Sequence, residues 1–247
     1  MRTVIIILLT AALFPLCAFA GPPLLTDDTG TPGDKKWEIN VGFTVDRRDD
    51  ETRYATPALD INYGIGEYIQ LNYSVPWVVL DSRDAGSKNG LGNSEVAVKW
   101  RFLDEERHGI AMSLYPRAIF NNPTSSADRG LVDNGATFRL PVQIEKKIGI
   151  ININAEFGHD FRERGGDEWI YGLALKYAEI KGLEALAEVY GTANNSFKRH
   201  ETVFNLGFRY DLGESYTLLA SAGRSFHSAP DQPNLLLYAG LQFRFGK

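Results

Sequence analysis

The chain has 247 residues, a formal net charge of −5 and a single cysteine, Cys17. The mildly acidic balance argues against a nucleic-acid partner, and one cysteine excludes an internal disulfide. Without paired cysteines or two histidines at ligand spacing, we expect no metal site and no cofactor.

The first twenty residues predict a secretory signal peptide. Arg2 is followed by an apolar run from Val4 to Leu16 and by the small-residue ending Ala18-Phe19-Ala20. The exported chain then begins at Gly21, and Cys17 leaves with the signal. Phe14-Pro15-Leu16 before Cys17 does not fit a lipidation motif, so no lipid anchor is expected.

Residues 21–36, GPPLLTDDTGTPGDKK, are too rich in Pro, Gly, Thr and Asp to pack a core. They predict either a free periplasmic lead-in or a lid that folds back into the structure built by the strands that follow. The candidate lid residues are Asp27, Asp28 and Pro32. The prolines of this stretch lower the entropy lost when it becomes ordered.

From Trp37 to the end of the chain, apolar and polar residues alternate with a period of two, which is typical of β-strands. The clear strands lie in 37–45, 67–79, 94–102, 135–145, 150–157, 168–177, 202–210 and 235–245, and weaker ones near 55–63, 109–120, 183–190 and 216–224. Residues 183–190, LEALAEVY, are helix formers in isolation. We assign them to a strand because an even number of strands places both termini of the chain on the same side of a membrane.

This pattern predicts an all-β fold, a closed antiparallel transmembrane β-barrel of about 12 strands over residues 37–247. After residue 20 no apolar run reaches the roughly 20 residues of a membrane helix, but alternation hides barrel strands from hydropathy. Short connections, expected to be periplasmic turns, alternate with long ones, expected to be extracellular loops. The long ones are 46–54, 81–90, 121–133, 160–167, 192–201 and 226–234. Because hydrocarbon cannot satisfy an open sheet edge, the last strand must pair with the first.

Four prolines, Pro57, Pro76, Pro116 and Pro141, fall within the strands. Proline removes a donor from the ladder and is usually found at bulges or strand ends. The alternative is a breach in the wall through which an apolar solute leaves sideways into lipid.

The polar face of the strands is expected to line the lumen. By phase, the candidate lumen-lining residues are Asp60, Glu95, Lys99, Arg101, Arg117, Arg139, Glu145, Glu156, Lys176, Glu188, Arg209 and Arg244. Two interpretations stay open: a polar, water-filled path for small solutes, or a lumen closed by these ions pairing with one another. A lid could place Asp27 and Asp28 against Arg101 or Arg209.

The stretch PPLLTDDTGTPG followed by WEIN, in residues 22–40, resembles the opening of proteins in the MetA-pathway of phenol degradation family. Asp27, Asp28 and Pro32 match that motif. The resemblance implies an outer-membrane barrel that transports small organic compounds. It carries over no established binding residues.

The predicted function is an outer-membrane channel for passive uptake of a small organic compound, aromatic or hydrophobic. The alternative is a non-conducting barrel that acts as a surface interaction or envelope-structural protein. The expected partners are outer-membrane lipid, lipopolysaccharide and a small-molecule solute, with no nucleic acid and no second copy of the chain. Loop arginines that could bind lipopolysaccharide phosphates are Arg47, Arg48, Arg162 and Arg164.

An enzyme is not expected. The four histidines, His108, His159, His200 and His227, are scattered along the chain. The neighbours His227 and Ser228 cannot form the usual contact between a nucleophile and its base.

Overall fold

The computed structural model describes residues 21–198, 200–227 and 232–246. The predicted signal peptide, with Arg2 and Cys17, lies outside these residues, and so does Ser228. Among the described residues, no helix is long and apolar enough to cross a bilayer.

The described chain forms fourteen β-segments and two short helices. The strands are β1 (Lys36–Arg47), β2 (Glu51–Ile65), β3 (Ile69–Ser82), β4 (Gly86–Leu91), β5 (Asn93–Leu103), β6 (Ala111–Leu114), β7 (Arg117–Asn121), β8 (Thr137–Ile148), β9 (Ile151–Arg162), β10 (Glu168–Ile180), β11 (Leu183–Asn194), β12 (His200–Asp211), β13 (Tyr216–Ser225) and β14 (Leu235–Gly246). The helices are α1 (Glu105–His108) and α2 (Ser125–Asp128). The helix-forming stretch 183–190 is therefore a strand, as predicted, because β10 and β12 pair with it on either side.

The sheet closes into a barrel of twelve antiparallel strands. β6 and β7 follow one another in the same position between β5 and β8 and count as one strand, and β4 pairs only with the end of β3. The first strand pairs with the last, from Lys36 opposite Gly246 to Arg47 opposite Leu235. The predicted closure is thus confirmed, and the ring has no free edge.

The barrel exposes its apolar side chains and buries its polar ones. β5 shows the rule: Val96, Val98 and Trp100 point outward and Trp100 is 53% exposed, whereas Lys99 points inward and is fully buried. An exterior of this kind is stable only against hydrocarbon. Aromatic rings pair at both ends of the barrel, such as Trp37 with Tyr63 at the short-turn end, with centroids 4.6 Å apart.

Two connections depart from the prediction. Residues 86–90, predicted as loop, belong to β4, because β3 continues past the ring and forms a hairpin with it. The long connection after β7 contains α2 and turns toward the lumen, where Leu131 is fully buried against Val78 and Leu80. Arg53 Nη1 donates to Leu131 O at 2.5 Å. This connection therefore covers part of the long-loop mouth.

Two of the four prolines, Pro57 and Pro116, lie at irregularities of the ladder, whereas Pro141 does not. Pro57 occupies a bulge between Ala55 and Ala58, and Pro116 separates β6 from β7. Pro141 stands opposite Gly158 of β9 in a regular register, and on its other side its carbonyl accepts from Tyr115 N at 3.1 Å. The register of β6 and β7 against β8 is unchanged across this point, so the ladder is regular on both sides of Pro141 and shows no breach there.

Candidate functional site in the barrel lumen

Residues 21–35, called the N-terminal segment from here on, lie inside the barrel. The chain is buried continuously from Thr26 to Gly33, and Thr29 is only 2% exposed. The segment forms no helix or strand, so its backbone donors and acceptors must be satisfied by the barrel wall. At the short-turn end the fit is close: a Cβ on Gly64 would lie 1.8 Å from Gly33 O, so only glycine fits there.

Three buried glutamates bind the backbone of the N-terminal segment. The bonds run from Leu25 N and Thr26 N to Glu188 (2.9 and 2.7 Å), from Asp27 N to Glu156 (2.8 Å), and from Thr29 N and Oγ1 to Glu145 (3.2 and 2.8 Å). Hydrogen bonds to a charged acceptor are among the stronger ones in proteins. The glutamates stand on β11, β9 and β8, so the segment is held from several strands at once.

The carboxylate of Asp27 is the centre of a buried ion cluster. Lys99 Nζ lies 2.9 Å from Oδ1, and Arg117 Nη2 lies 2.6 Å from Oδ2. Burial alone would raise the pKa of Asp27, but the charges of Lys99 and Arg117 hold that pKa below its ordinary value. Both cations also lie over the ring of Tyr115, at 4.6 and 4.1 Å from its centroid.

A second set of contacts binds the segment around Asp28. Its Oδ2 lies 3.8 Å from Lys176 Nζ and 4.0 Å from Arg209 Nη1. Arg209 Nη2 also donates to Gly21 O at 2.8 Å. Three further bonds reach carbonyl oxygens of the segment, from Asn154 Nδ2 to Asp27 O (2.6 Å), Lys99 Nζ to Asp28 O (2.8 Å) and Ser221 Oγ to Pro23 O (2.7 Å).

Seven of the twelve candidate lumen residues thus meet the N-terminal segment: Lys99, Arg117, Glu145, Glu156, Lys176, Glu188 and Arg209. The remaining five make other contacts. Three form ion pairs: Glu95 lies 3.7 Å from Arg117, Arg139 binds Asp160 through two hydrogen bonds of 2.7 Å, and Arg244 lies 3.1 Å from Asp211. Asp60 accepts hydrogen bonds from asparagine side chains, and Arg101 donates to Glu67 O. Arg101 therefore does not meet Asp27 or Asp28, because it lies near the short turn. Pro32 is buried in the segment.

Sequence reasoning missed several lumen residues. Asp160 was placed in a loop, although it belongs to β9 and pairs with Arg139. Glu38 and Asn154 also lie on the lumen wall but are not among the predicted lumen-lining residues. The phase of their strands could have identified all three: Asp160 and Asn154 stand four and two residues from Glu156, and Glu38 stands two residues from Asn40.

One cavity of about 310 Å³ lies at the short-turn end, where the N-terminal segment passes the seam between β1 and β14. Its wall includes Pro32, Glu38, Glu214 and Arg244. At the opposite end the rings of His200 and His227 lie edge to face, with centroids 5.7 Å apart. Among the described residues, no group of three or more His, Cys, Asp or Glu side chains could hold a metal ion.

A closed ring with an apolar exterior and a polar interior defines a transmembrane β-barrel of the outer-membrane type. The COG4313 outer membrane channel from Pseudomonas putida F1 is similar over 86% of this chain and 96% of its own, with a TM-score of 0.71 and 12% identity. KdgM porin is similar over 83% of this chain and 99% of its own, with a TM-score of 0.55 and 11% identity. The translocator domain of autotransporter NalP from Neisseria meningitidis is similar over 86% of this chain and 89% of its own, with a TM-score of 0.54 and 11% identity. Identities this low show a shared fold and no more.

The chain belongs to the family described as "Putative MetA-pathway of phenol degradation", whose profile matches residues 22–245. The resemblance first seen in residues 22–40 is thereby confirmed and extends over almost the whole chain. A comparison with curated protein sequences gave no match.

Proposed function

We propose that this protein is an outer-membrane channel for passive uptake of a small organic compound. The observation that carries the proposal is the N-terminal segment, which occupies the lumen through polar contacts rather than an apolar core. Hydrogen bonds to its backbone and ion pairs to Asp27 and Asp28 can be exchanged for water, so the segment can leave without unfolding the barrel. In this proposal the segment is the lid of the channel, and the short turns and both chain ends face the periplasm.

The solute class is proposed from the family, whose description refers to phenol degradation. An aromatic or hydrophobic compound fits that description, and passage through a barrel needs no catalytic group or cofactor. The test is growth of a deletion strain on a panel of aromatic and aliphatic carbon sources at limiting concentration. Slower growth on one class, restored by the wild-type gene, is the expected result. Equal growth on every source would contradict uptake as the function.

A non-conducting barrel is the second candidate, because the ion pairs and the N-terminal segment together fill much of the lumen. Such a protein would act at the cell surface. For lipopolysaccharide phosphates, the exposed Arg47 and Arg164 are the proposed contacts, since Arg48 lies 3.1 Å from Glu201 and Arg162 lies 3.2 Å from Glu168. Single-channel recordings on the purified monomer separate the candidates: baseline current in the wild type and in a variant lacking 22–34 would favour the second.

A further inference from the structure

Among the described residues, two carboxylates on the lumen wall form neither an ion pair with lysine or arginine nor a hydrogen bond with the N-terminal segment. They are Glu38 of β1 and Asp60 of β2. Glu38 is 3% exposed, and the hydrogen bond it accepts is a long one, 3.5 Å from Asn40 Nδ2. The charged form of a buried carboxylate with so little compensation is costly, so the group takes up a proton unless a cation joins it.

Asparagine side chains connect these carboxylates. Asn40 Nδ2 also donates to Asp60 at 2.8 Å, and Asn62 and Asn72 donate to Asp60 at 2.9 and 2.5 Å. Asn40 is 1% exposed, and its Oδ1 has no hydrogen-bond partner in the described part of the chain; the same holds for Asn72 Oδ1. Along this wall, the side-chain oxygen atoms that could accept a hydrogen bond therefore outnumber the N–H donors that face them.

The inward cations on the other side of the lumen are already neutralised. Lys99 and Arg117 are held by Asp27, and Arg139 is held by Asp160 through two bonds. They offer little attraction to a passing anion. In the described part of the chain, Glu145 and Glu188 also form no ion pair with lysine or arginine, but they accept N–H groups of the docked segment. The carboxylates that face neither a cation nor the segment lie on the wall formed by β1 and β2.

This wall ends in the cavity at the periplasmic rim. Glu38 lines that cavity together with Glu214, Lys36 and Arg244, and the charge of Arg244 is met by Asp211 at 3.1 Å. Pro32 of the N-terminal segment forms another part of its lining. The carboxylate of Glu38, beside the N-terminal segment, therefore faces the cavity on the periplasmic side.

We propose that Glu38, Asn40 and Asp60 form a binding track for small monovalent cations such as K⁺, which passes beside the docked N-terminal segment and opens into the periplasmic cavity. The proposal rests on the channel function. Rings and rows of carboxylates concentrate cations in narrow pores, and amide oxygens replace part of their hydration shell. A barrel with its lid in place would then conduct cations in preference to anions.

The test is the reversal potential of the full exported chain in planar bilayers under a KCl gradient. We expect a permeability ratio of K⁺ to Cl⁻ above one in the wild type, and a fall toward one in Glu38→Gln and in Asp60→Asn. Asp81→Asn, which makes the same charge change at an exposed site on β3, is the matched control and should keep the wild-type ratio.

Each outcome decides a separate point. A current without cation preference, or an unchanged ratio in Glu38→Gln, overturns the track and leaves the channel proposal intact. No current in the wild type and in the variant lacking 22–34 overturns both. If Asp60→Asn does not fold because three asparagines depend on that carboxylate, Glu38→Gln alone decides. Folding is checked by the resistance of the barrel to SDS on unheated gels.

Discussion

Replacing Asp27 by asparagine should release the N-terminal segment from the lumen. The substitution keeps the size of the side chain and removes the charge that meets Lys99 at 2.9 Å and Arg117 at 2.6 Å. Lys99 is fully buried and would be left without an anion at bonding distance. The docked state therefore loses stability, whereas the undocked state, in which Asp27 is solvated, does not.

The size of the effect follows from the burial of the pair. Breaking a buried ion pair by removing one partner costs about 3–5 kcal/mol. Arg117 keeps Glu95 at 3.7 Å and Glu156 at 3.9 Å, so the lower end of that range applies. At about 1.4 kcal/mol for each factor of ten, a loss of about 3 kcal/mol raises the ratio of undocked to docked segment roughly a hundredfold.

Single-channel recording measures this ratio directly, as the time spent at the higher conductance level over the time spent at the lower one. Asp34→Asn is the matched control: it lies in the same segment, its side chain is half exposed, and the amide can still accept from Gly66 N. We expect about a hundredfold change for Asp27→Asn and none for the control. Equal open-time ratios in Asp27→Asn and the wild type would refute the idea that this ion cluster holds the lid.

Three further predictions test the segment and the seam. Deletion of 22–34 should raise the unitary conductance, and unchanged conductance would show that the segment does not obstruct the path. Thr26→Cys with Gly172→Cys should form a disulfide once the segment shifts by a few tenths of an ångström, since a Cβ at Gly172 would lie 3.1 Å from Thr26 Cβ and bridged cysteines keep about 3.5–4.5 Å between these atoms. Oxidation should lower the conductance and dithiothreitol should restore it. Gly42→Ala should destabilise the seam by about 1–3 kcal/mol, because its Cβ would lie 2.7 Å from Tyr238 Oη. The temperature at which SDS resistance is lost measures this change, and Gly213→Ala, with open space around it, should match the wild type.

The barrel could be predicted from local pattern because membrane burial acts on each strand separately. In β5, every second residue must suit hydrocarbon, and the alternation of Val96, Val98 and Trp100 with Lys99 is visible without knowledge of the neighbours. Closure followed from the absence of water at an open edge. Even the helix-forming residues of β11 were assigned correctly, because the parity of the strands decided against their propensity.

Partners within the lumen could not be predicted in the same way. Phase shows that Glu188 points inward, but its partner Thr26 is 162 positions away along the chain. The pairing of residues inside the lumen depends on the tilt of the strands and on the path of the N-terminal segment, whose sequence has no periodicity. The β4 hairpin was missed for a related reason: its sequence GSKNGL lacks apolar alternation, since it pairs beyond the membrane-facing part of β3.

The distribution of the segment's contacts around the barrel bears on the order of assembly. Its partners come from β5, β8, β9, β11, β12 and β13, and no single hairpin supplies them. The binding surface is complete only when the sheet from β5 to β13 has curved around the segment, so we expect docking to come late in the assembly of the barrel. A barrel that stalls before this step should leave residues 21–35 accessible to proteases, and cleavage within this segment would mark molecules whose assembly is incomplete.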